Sequence, residues 1–434
     1  MPHHSTLHHE VRMSYNPSAG DDRPLLLLVA SSYWVYRAYI LESVSARYRL
    51  WLLNPVPATW EDPYIIGHTV VDCLDLEKLT AAAREVARDH DVAGVYCYDE
   101  VYIETSAHLS AALGFPVLDP DAVARCRDKS AAREALRDAG LPQPASRAVA
   151  SLEQARAFAD EVGYPVIVKP RNLGGSLGLS KAEGPDDLDR AFALTDGTRM
   201  DGIRQFDDYV VVEEFLDGPE VSFECVVHRG ECTPLIVARK VLGGSGDLAF
   251  EEIGHDVDAN DPLLTDPGML DLLTRAHAAA GFTDGFTHIE FKLTPDGARH
   301  VIEINARLGG GMIPYLGLLT SGVDAPLAAA HVVAGRPPAV AFPKPLRAAS
   351  IRFAYPPYDM EVTSATAHRE LMRPPVTEVE VGVQPGMRVR RPPHGLARTG
   401  FVIAVGASAE ETAAAVADPG RYFTFEGTRL EPAS

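Results

Sequence analysis

The sequence lacks long apolar runs and contains little cysteine. Its 434 residues include five cysteines and no Cys-x-x-Cys spacing, which favours reduced thiols in a cytoplasmic protein over a disulfide framework. The longest apolar candidate, PLLLLVASSYWVYRAYI, contains Arg37 and several polar residues, so no membrane span is expected. The first twenty residues have no apolar signal-peptide core and are rich in His, Ser and Pro. We therefore interpret residues 1–22 as a disordered tail.

Positive charge is also scarce. The chain has 40 Lys and Arg residues against 60 Asp and Glu residues, which gives a formal net charge of −20 at pH 7. Apart from MRVRRPP the sequence contains no stripe of Lys and Arg, so we expect no nucleic-acid partner. An anionic small ligand remains compatible with a local basic site. The length predicts about two to four domains.

The order of apolar and polar runs predicts mixed α/β and α+β architecture. In residues 23–118 the short apolar runs PLLLLVA and DVAGVYC each precede a helical pattern, as in a Rossmann-like domain with a parallel sheet. Residues 119–336 read as an α+β unit that opens with one helix closed by Gly140 and contains a smaller subdomain at about 146–216. A Pro-rich linker, GRPPAVAFPKP, opens a mixed C-terminal portion at 337–434.

Two acidic residues lie on neighbouring strands of a predicted hairpin at 288–305. With 294–297 as the loop, Glu290 is expected opposite Val301 and diagonal to Glu303 on the same face. Asn305 shares that face, and Arg307 follows. Two close carboxylates and an amide are hard oxygen ligands of the kind that binds Mg²⁺ together with phosphates. The alternative is a solvated strand face that carries scattered acids.

A glycine-rich stretch, NLGGSLGLS, follows the short strand VIVKP. Backbone N–H groups of such a loop can surround phosphate oxygens, and Lys169 at the end of the strand is placed to contact the same phosphates. A flexible hairpin turn and a surface lysine explain the two features equally well. Lys129, in the first turn of a predicted helix, is a further candidate, although a lysine in that position is usually solvated.

The segment VVVEEFLDGPE predicts a strand, a short turn and then Glu220. The backbone at the strand end is a candidate partner for an adenine edge, and Glu220 a candidate partner for ribose hydroxyl groups. An acidic strand edge without any ligand is the alternative.

Taken together, these motifs resemble the ATP-grasp superfamily over about residues 119–335. The resemblance implies ATP as substrate and Mg²⁺, or alternatively Mn²⁺, as the metal. It assigns the metal to Glu290, Glu303 and Asn305. It implies that the nucleotide is bound by Lys129, Lys169, Leu173, Gly174, Gly175, Ser176, Gly178, Glu213, Glu214, Phe215, Leu216 and Glu220.

Within that superfamily, EINARLGGGMIP and EEIGHDVDA resemble segments of L-amino-acid ligases that make dipeptides. The resemblance implies ATP-dependent joining of a carboxylate to an amine through an acyl phosphate, with ADP and phosphate released. It assigns catalysis to Arg307, Lys169 and Glu303. It places the substrates, a small-molecule carboxylate and an amine, near Glu100, His255, His288, Arg307, Gly310 and Gly311.

The sequence departs from related patterns at two points. D-alanine ligases carry an Arg two residues before the first metal carboxylate, where this chain has His288, so the resemblance transfers the role of that Arg to Arg307. One dipeptide-ligase pattern has a Trp just after the corresponding Arg, and that Trp narrows the acyl-donor pocket. All three Trp residues of this chain lie before residue 61, so no Trp follows the Arg307 loop and we expect a roomier pocket. Glu100 is equally interpretable as a helix N-terminal acid, and His255 and His288 as structural histidines.

Alternative functions stay open at this point. They are another ATP-grasp activity, such as a carboxylation of the biotin-carboxylase type, a non-catalytic nucleotide-binding protein, and an interaction protein on an inactive fold. The characteristic acid–His sequence of biotin carboxylases does not follow Asn-x-Arg here. We expect no membrane partner, and a homodimer as the commonest assembly. The acid and the amine are not identified by the sequence.

Overall fold

The computed structural model describes residues 21–115, 117–199, 203, 206–243, 251–392, 395 and 398–431. Residues 1–20 of the predicted tail lie outside this range. The described helices, in chain order α1 to α11, are Trp34–Ser45, Leu76–Asp89, Ile103–Ala112, Pro120–Arg127, Lys129–Asp138, Leu152–Val162, Pro185–Gly197, Pro267–Ala280, Ile313–Thr320, Ala325–Val333 and Ala409–Ala415.

The described strands, in chain order β1 to β19, are Leu25–Val29, Arg49–Asn54, Gly67–Val70, Val92–Tyr96, Ser146–Val149, Val166–Pro170, Ser180–Ala182, Val210–Glu214, Glu220–His228, Glu231–Leu242, Glu252–Asp258, Gly285–Leu293, Arg299–Asn305, Ala348–Ala354, Met360–Ala367, Val376–Val381, Arg388–Val389, Gly400–Gly406 and Phe423–Arg429.

The N-terminal part contains a four-stranded sheet in the order β3-β2-β1-β4. Its neighbouring strands are parallel, as the apolar runs predict. Strand β1 is completely buried along its length, because helices connect and cover parallel strands on both faces.

An eight-stranded antiparallel sheet carries the candidate site. Its order is β13-β12-β9-β10-β11-β14-β18-β16, so strands from 220–305 and from the C-terminal portion form one continuous sheet. The sheet therefore crosses the predicted boundary near residue 337, and the domain limits themselves remain a prediction.

A third sheet, in the order β5-β8-β6-β7, lies within the predicted small subdomain at about 146–216. Its apolar core, which includes Val166, Val168 and Val212, is a cluster separate from the main core. Because this small sheet carries both Lys169 and the glycine-rich stretch, it is the element that brings them to the larger sheet.

The prediction of a single helix after residue 119 is wrong. The structure has two helices, α4 and α5, separated at Asp128. Asp128 adopts an extended conformation and its carboxylate accepts hydrogen bonds from the backbone N–H groups of Ser130 and Ala131. This N-cap ends one helix and begins the next, which places Lys129 at the first position of α5.

No single described helix has the length and apolarity needed to cross a bilayer, although the bent pair Ile313–Thr320 and Ala325–Val333 meets that test jointly by length and composition.

Candidate active site

Strands β12 and β13 place the two predicted metal carboxylates directly opposite each other. Glu290 pairs with Glu303 and His288 pairs with Asn305. The predicted diagonal register is wrong for two reasons. Leu293 pairs with Arg299, so the connection is one residue longer than the predicted 294–297 loop, and a β-bulge between Glu290 and Phe291 shifts the pairing by one further residue. A bulge places two residues of one strand against one of the other, and this one brings the two carboxylates closer in register than a regular ladder would.

Lys240 of β10 is the main cation that neutralises this face. Its side chain is 1% exposed, and its Nζ lies 2.8 Å from Glu220, 2.7 Å from Glu252 and 2.7 Å from Glu290. Burial alone would lower the pKa of Lys240, but the three carboxylates raise it well above its usual range. A buried ammonium with three anionic partners stays charged, since desolvation is offset by close opposite charge.

His288 connects Glu290 to a second buried carboxylate. Its Nε2 lies 3.0 Å from Glu290 Oε1 and its Nδ1 lies 2.6 Å from Glu224 Oε1. Glu224 Oε2 in turn accepts a hydrogen bond from the backbone N–H of Gly309, 2.9 Å away. Although burial opposes it, the two carboxylates raise the pKa of His288 to about 9. The protonated ring therefore fixes the orientation of Glu290.

The donor set fits Mg²⁺. Glu290, Glu303 and Asn305 share one face of the strand pair, and all three supply the oxygen ligands that Mg²⁺ prefers. Among the described residues both contacts of Glu290 use Oε1, so Oε2 is the oxygen available to a cation. Burial would raise the pKa of Glu290, but Lys240 and His288 lower it well below its usual range, which keeps it ionised.

Lys129 joins α5 to this face. Its Nζ lies 3.1 Å from Glu303 Oε1 and donates a 2.6 Å hydrogen bond to the carbonyl oxygen of Leu173. Lys129, the predicted phosphate lysine, therefore contacts both the predicted metal carboxylate of Glu303 and the start of the glycine-rich loop.

Lys169 is buried at the end of β6 and forms an ion pair with Glu213, at 2.6 Å. Arg133 of α5 contacts the same carboxylate at 2.8 Å. Burial would raise the pKa of Glu213, but Arg133 and Lys169 lower it to about 2. The structure thus gives Glu213 a role that the sequence did not indicate, which is to hold the two cations next to α5.

The glycine-rich loop has the left-handed backbone that its sequence favours. Gly175, Ser176 and Gly178 all have positive φ angles. A Cβ on Gly178 would lie 2.8 Å from the Thr198 hydroxyl oxygen, so this position requires glycine. Gly174 lies against the side chain of Glu100, which brings the loop next to the predicted substrate residue.

The remaining nucleotide candidates surround β8 and the start of β9. Glu214 accepts a hydrogen bond from the backbone N–H of Ala145 at 3.2 Å, and the Lys181 ammonium lies 4.0 Å from the centre of the Phe215 ring. Leu216 is half-buried. Glu220, the predicted ribose partner, also contacts Lys292 at 3.3 Å, so its carboxylate lies between two lysines.

Arg307 and Glu100 are brought together from elements 207 residues apart in the chain. Glu100 forms close ion pairs with both Arg307 and Arg127. Burial and the neighbouring Arg307 lower the pKa of Arg127 to about 10. Because both oxygens of Glu100 contact guanidinium groups, an ammonium ligand would have to share or displace one of them.

His255 lies beneath the loop that follows β13. It is completely buried, and a Cβ on Gly311 would lie 2.2 Å from its Nε2. Burial lowers the pKa of His255 to about 3, so the ring is neutral. The His255 ring contacts the Gly311 backbone. At the neighbouring Gly310, an added Cβ would meet no atom within 4 Å.

Two cavities lie outside this charged face. One of about 310 Å³ is lined by residues that include Arg127, Asp128 and Asn172, and therefore adjoins the Glu100 cluster. The larger one, of about 480 Å³, is lined by residues that include Arg47, His331 and Arg336. Neither lining includes a predicted site residue, and the smaller cavity is the one that adjoins the candidate site, through the ion pair of Arg127 with Glu100.

The sequence reasoning missed Lys240, Glu224, Arg133 and Arg127. Each makes its site contacts with residues distant in the chain, and although Arg127 and Arg133 flank Lys129 in sequence, nothing local assigned them a role. The alternation of side chains along β10 is a sequence signal that could have found Lys240, because it places Lys240 on the same face as Glu220.

Comparisons with known proteins agree with this geometry. Residues 162–314 match the model of an ATP-grasp domain, and residues 352–418 match L-amino acid ligase C-terminal domain 2. The first match contains Lys169, the glycine-rich loop, Lys240 and all three predicted metal ligands. The second covers strands that complete the eight-stranded sheet.

Two relatives and one solved structure illustrate the similarity. An uncharacterised protein of Sinorhizobium fredii is 27% identical over 316 residues, which is 70% of this chain and 62% of that protein. Alanine–anticapsin ligase of Bacillus subtilis is 24% identical over 257 residues, covering 55% of this chain and 54% of the ligase. The chain thus spans less than two thirds of the length of these relatives.

The crystal structure of L-amino acid ligase from Bacillus licheniformis superposes with a TM-score of 0.78 at 20% identity, covering 94% of this chain and 99% of that one. At this identity the likeness establishes the fold. The chain therefore contains an ATP-grasp domain and an L-amino acid ligase C-terminal domain, and it has the ATP-grasp fold.

Proposed function

We propose that the protein joins a carboxylate to an amine at the expense of ATP, and that both substrates are amino acids or similar small molecules. The observation that carries this proposal is the contact of Lys129 with Glu303, which itself lies opposite Glu290 on a face that also presents Asn305. A phosphate-binding lysine next to a magnesium donor set is what phosphoryl transfer requires.

The first step is attack of the substrate carboxylate oxygen on the γ-phosphorus of ATP. The bond to ADP breaks, and an acyl phosphate forms. Lys129, Lys169 and the N–H groups of the 173–178 loop hold the phosphates, while Arg307 stabilises the transferring group. Mg²⁺, or alternatively Mn²⁺, held by Glu290, Glu303 and Asn305, would neutralise phosphate charge.

In the second step the amine nitrogen attacks the carbonyl carbon, phosphate leaves, and the amine loses a proton. Arg307 is placed to stabilise the oxyanion that forms at the carbonyl. Glu100 positions Arg307. The Glu100 carboxylate becomes available to the incoming ammonium if Arg127 or Arg307 shifts. Closure of the glycine-rich loop, which already lies against Glu100, would exclude water that hydrolyses the acyl phosphate.

The 352–418 match favours amide formation over carboxylation of the biotin-carboxylase type, because it is the C-terminal domain of L-amino acid ligases. A dipeptide, or an amide built into a specialised natural product, is the expected product class. We also propose a homodimer, the commonest closed assembly, which light scattering of the purified chain would test.

The test is phosphate release from ATP and Mg²⁺ with pooled L-amino acids, followed by mass spectrometry of the products. A dipeptide mass formed in step with ADP and phosphate supports the ligase. The matched control is the pool without ATP. ATP binding without any amide product, across free amino acids and peptides, would favour a nucleotide-binding protein instead.

A further inference from the structure

Cys225, Cys232 and His277 form a compact cluster on the side of the eight-stranded sheet opposite the candidate site. One donor atom from each residue lies within 4.8 Å of the other two. Thr287 pairs directly with Cys225 across β12 and β9, whereas Cys232 pairs with Val227, two positions from Cys225. Since side chains alternate along a strand, Cys225 and Thr287 point away from Glu224 and His288.

The ring of His277 is oriented as a metal-bound histidine requires. Its Nδ1 donates a 2.7 Å hydrogen bond to the carbonyl oxygen of Leu273, one turn earlier in α8. That contact fixes the tautomer, so Nε2 carries the lone pair and accepts a 2.6 Å hydrogen bond from the Thr287 hydroxyl, which a bound metal would replace. Ligating histidines typically use the second ring N–H in this way.

The two sulfurs suit a soft or borderline cation. Both cysteines are free thiols, Cys225 buried and Cys232 partly exposed. The thiolate is the form of cysteine that binds metal, and binding of the cation displaces the thiol protons.

We propose that Cys225, Cys232 and His277 bind one Zn²⁺ per chain. Zinc–sulfur and zinc–nitrogen bonds of about 2.3 and 2.0 Å place tetrahedral ligand atoms about 3.5–4 Å apart. The cluster therefore needs only a small contraction. Both thiols lose their protons to solvent, so that two thiolates and the ion form a neutral unit. Solvent that enters beside Cys232, or the Thr287 hydroxyl, fills the fourth position.

The ion would tie α8 to two central strands of the sheet. Cys225 and Cys232 lie on β9 and β10, the strands that also carry Glu224 and Lys240 on the candidate-site face. The site is thus placed to stabilise the framework without contacting nucleotide or substrate. Because it is independent of the proposed ligase activity, it can be tested on the full-length protein without any substrate.

The experiment measures the metal content of protein purified from zinc-supplemented medium, and then the absorption of the apoprotein after addition of Co²⁺. We expect one Zn²⁺ per chain, and thiolate-to-cobalt charge-transfer bands together with the visible bands of tetrahedral Co²⁺. Cys232→Ser and His277→Gln should lose both signals. Cys73→Ser, which changes a buried cysteine in the N-terminal part, should keep them.

A second readout does not depend on the folding of the variants. In wild-type protein, bound Zn²⁺ should protect the partly exposed Cys232 thiol from alkylation, and a chelator should remove that protection and lower the melting temperature. Wild-type protein with no bound zinc and no tetrahedral Co²⁺ spectrum would overturn the proposal. So would a mass lower by two hydrogens without metal, since that indicates a Cys225–Cys232 disulfide instead.

Discussion

The two faces of strands β9 and β12 differ in the side chains that they present. One face carries Ser222, Glu224, His288 and Glu290, while the other carries Phe223, Ile289 and Phe291 in the apolar core. Residues adjacent in sequence thus have opposite environments, as the two-residue period of a strand dictates.

This contrast shows how the sheet accommodates buried charge. Each buried acid of the charged face has a nearby cation, with Lys240 serving Glu220, Glu252 and Glu290, and His288 serving Glu224. The apolar face is stabilised by packing, for example by the edge-to-face contact of Phe223 and Phe291 at 5.7 Å. Changes to the charged face should therefore affect function and electrostatics, and changes to the apolar face should affect stability alone.

The largest effect is expected for Glu303→Gln. The amide keeps the shape of the side chain and removes the charge that would bind Mg²⁺. We expect turnover to be abolished while the protein remains folded, as measured by ADP release and circular dichroism. Wild-type turnover in this variant would contradict the metal assignment.

Lys240→Met tests the charge balance of the same face. Removing one partner of a buried ion pair typically costs about 3–5 kcal/mol. We expect a loss of unfolding free energy of this size, because three carboxylates would lose their shared cation. Chemical denaturation would measure this loss of unfolding free energy. The control is Arg275→Met, because Arg275 and its partner Asp271 have side chains that are 49% and 64% exposed, and this change should cost about 0–1 kcal/mol. Equal costs for the two variants would mean that Lys240 is not the central cation.

Arg307→Ala should affect chemistry more than binding. Removal of one group that stabilises transition-state charge commonly lowers the rate about 10²–10³-fold. We expect ATP affinity to change far less, because Lys129 and Lys169 remain. Arg307→Lys, which keeps the charge but loses the planar fork, should recover part of the rate. A pure loss of ATP binding would count against the assigned role.

Ile289→Val tests the apolar face with the smallest change. Ile289 is fully buried, and loss of one methylene from a core typically costs about 0.5–1.5 kcal/mol. Ligation per folded molecule should be unaffected. A strong loss of activity without loss of stability would show that the two faces are not functionally separate.

Much of this arrangement could be predicted from the sequence, and the reasons for the failures are physical. Alternation within 288–305 places Glu290, Glu303 and Asn305 on one face, and the glycines of 174–178 indicate a left-handed loop. The bulge could not be predicted, because nothing local in the hairpin distinguishes it from a regular ladder. Lys240 and Arg127 were missed since their partners lie far away in sequence, and Asp128 was not recognised as the cap that divides α4 from α5.

The cysteines illustrate the same limit. Cys225 and Cys232 lie in strand-like runs of the sequence, a pattern that indicates small core residues and nothing more. Their approach to His277 depends on how α8 packs on the sheet, and this is a tertiary contact that no local pattern encodes.

The most direct test of the central claim is the Mg²⁺ dependence of nucleotide binding, measured by calorimetry with a non-hydrolysable ATP analogue. We expect Mg²⁺ to tighten binding to the wild-type protein, and Glu303→Gln to lose most of this dependence while it still binds the analogue through Lys129 and Lys169. Binding by the wild-type protein that is indifferent to Mg²⁺, or an unchanged dependence in Glu303→Gln, would contradict this claim.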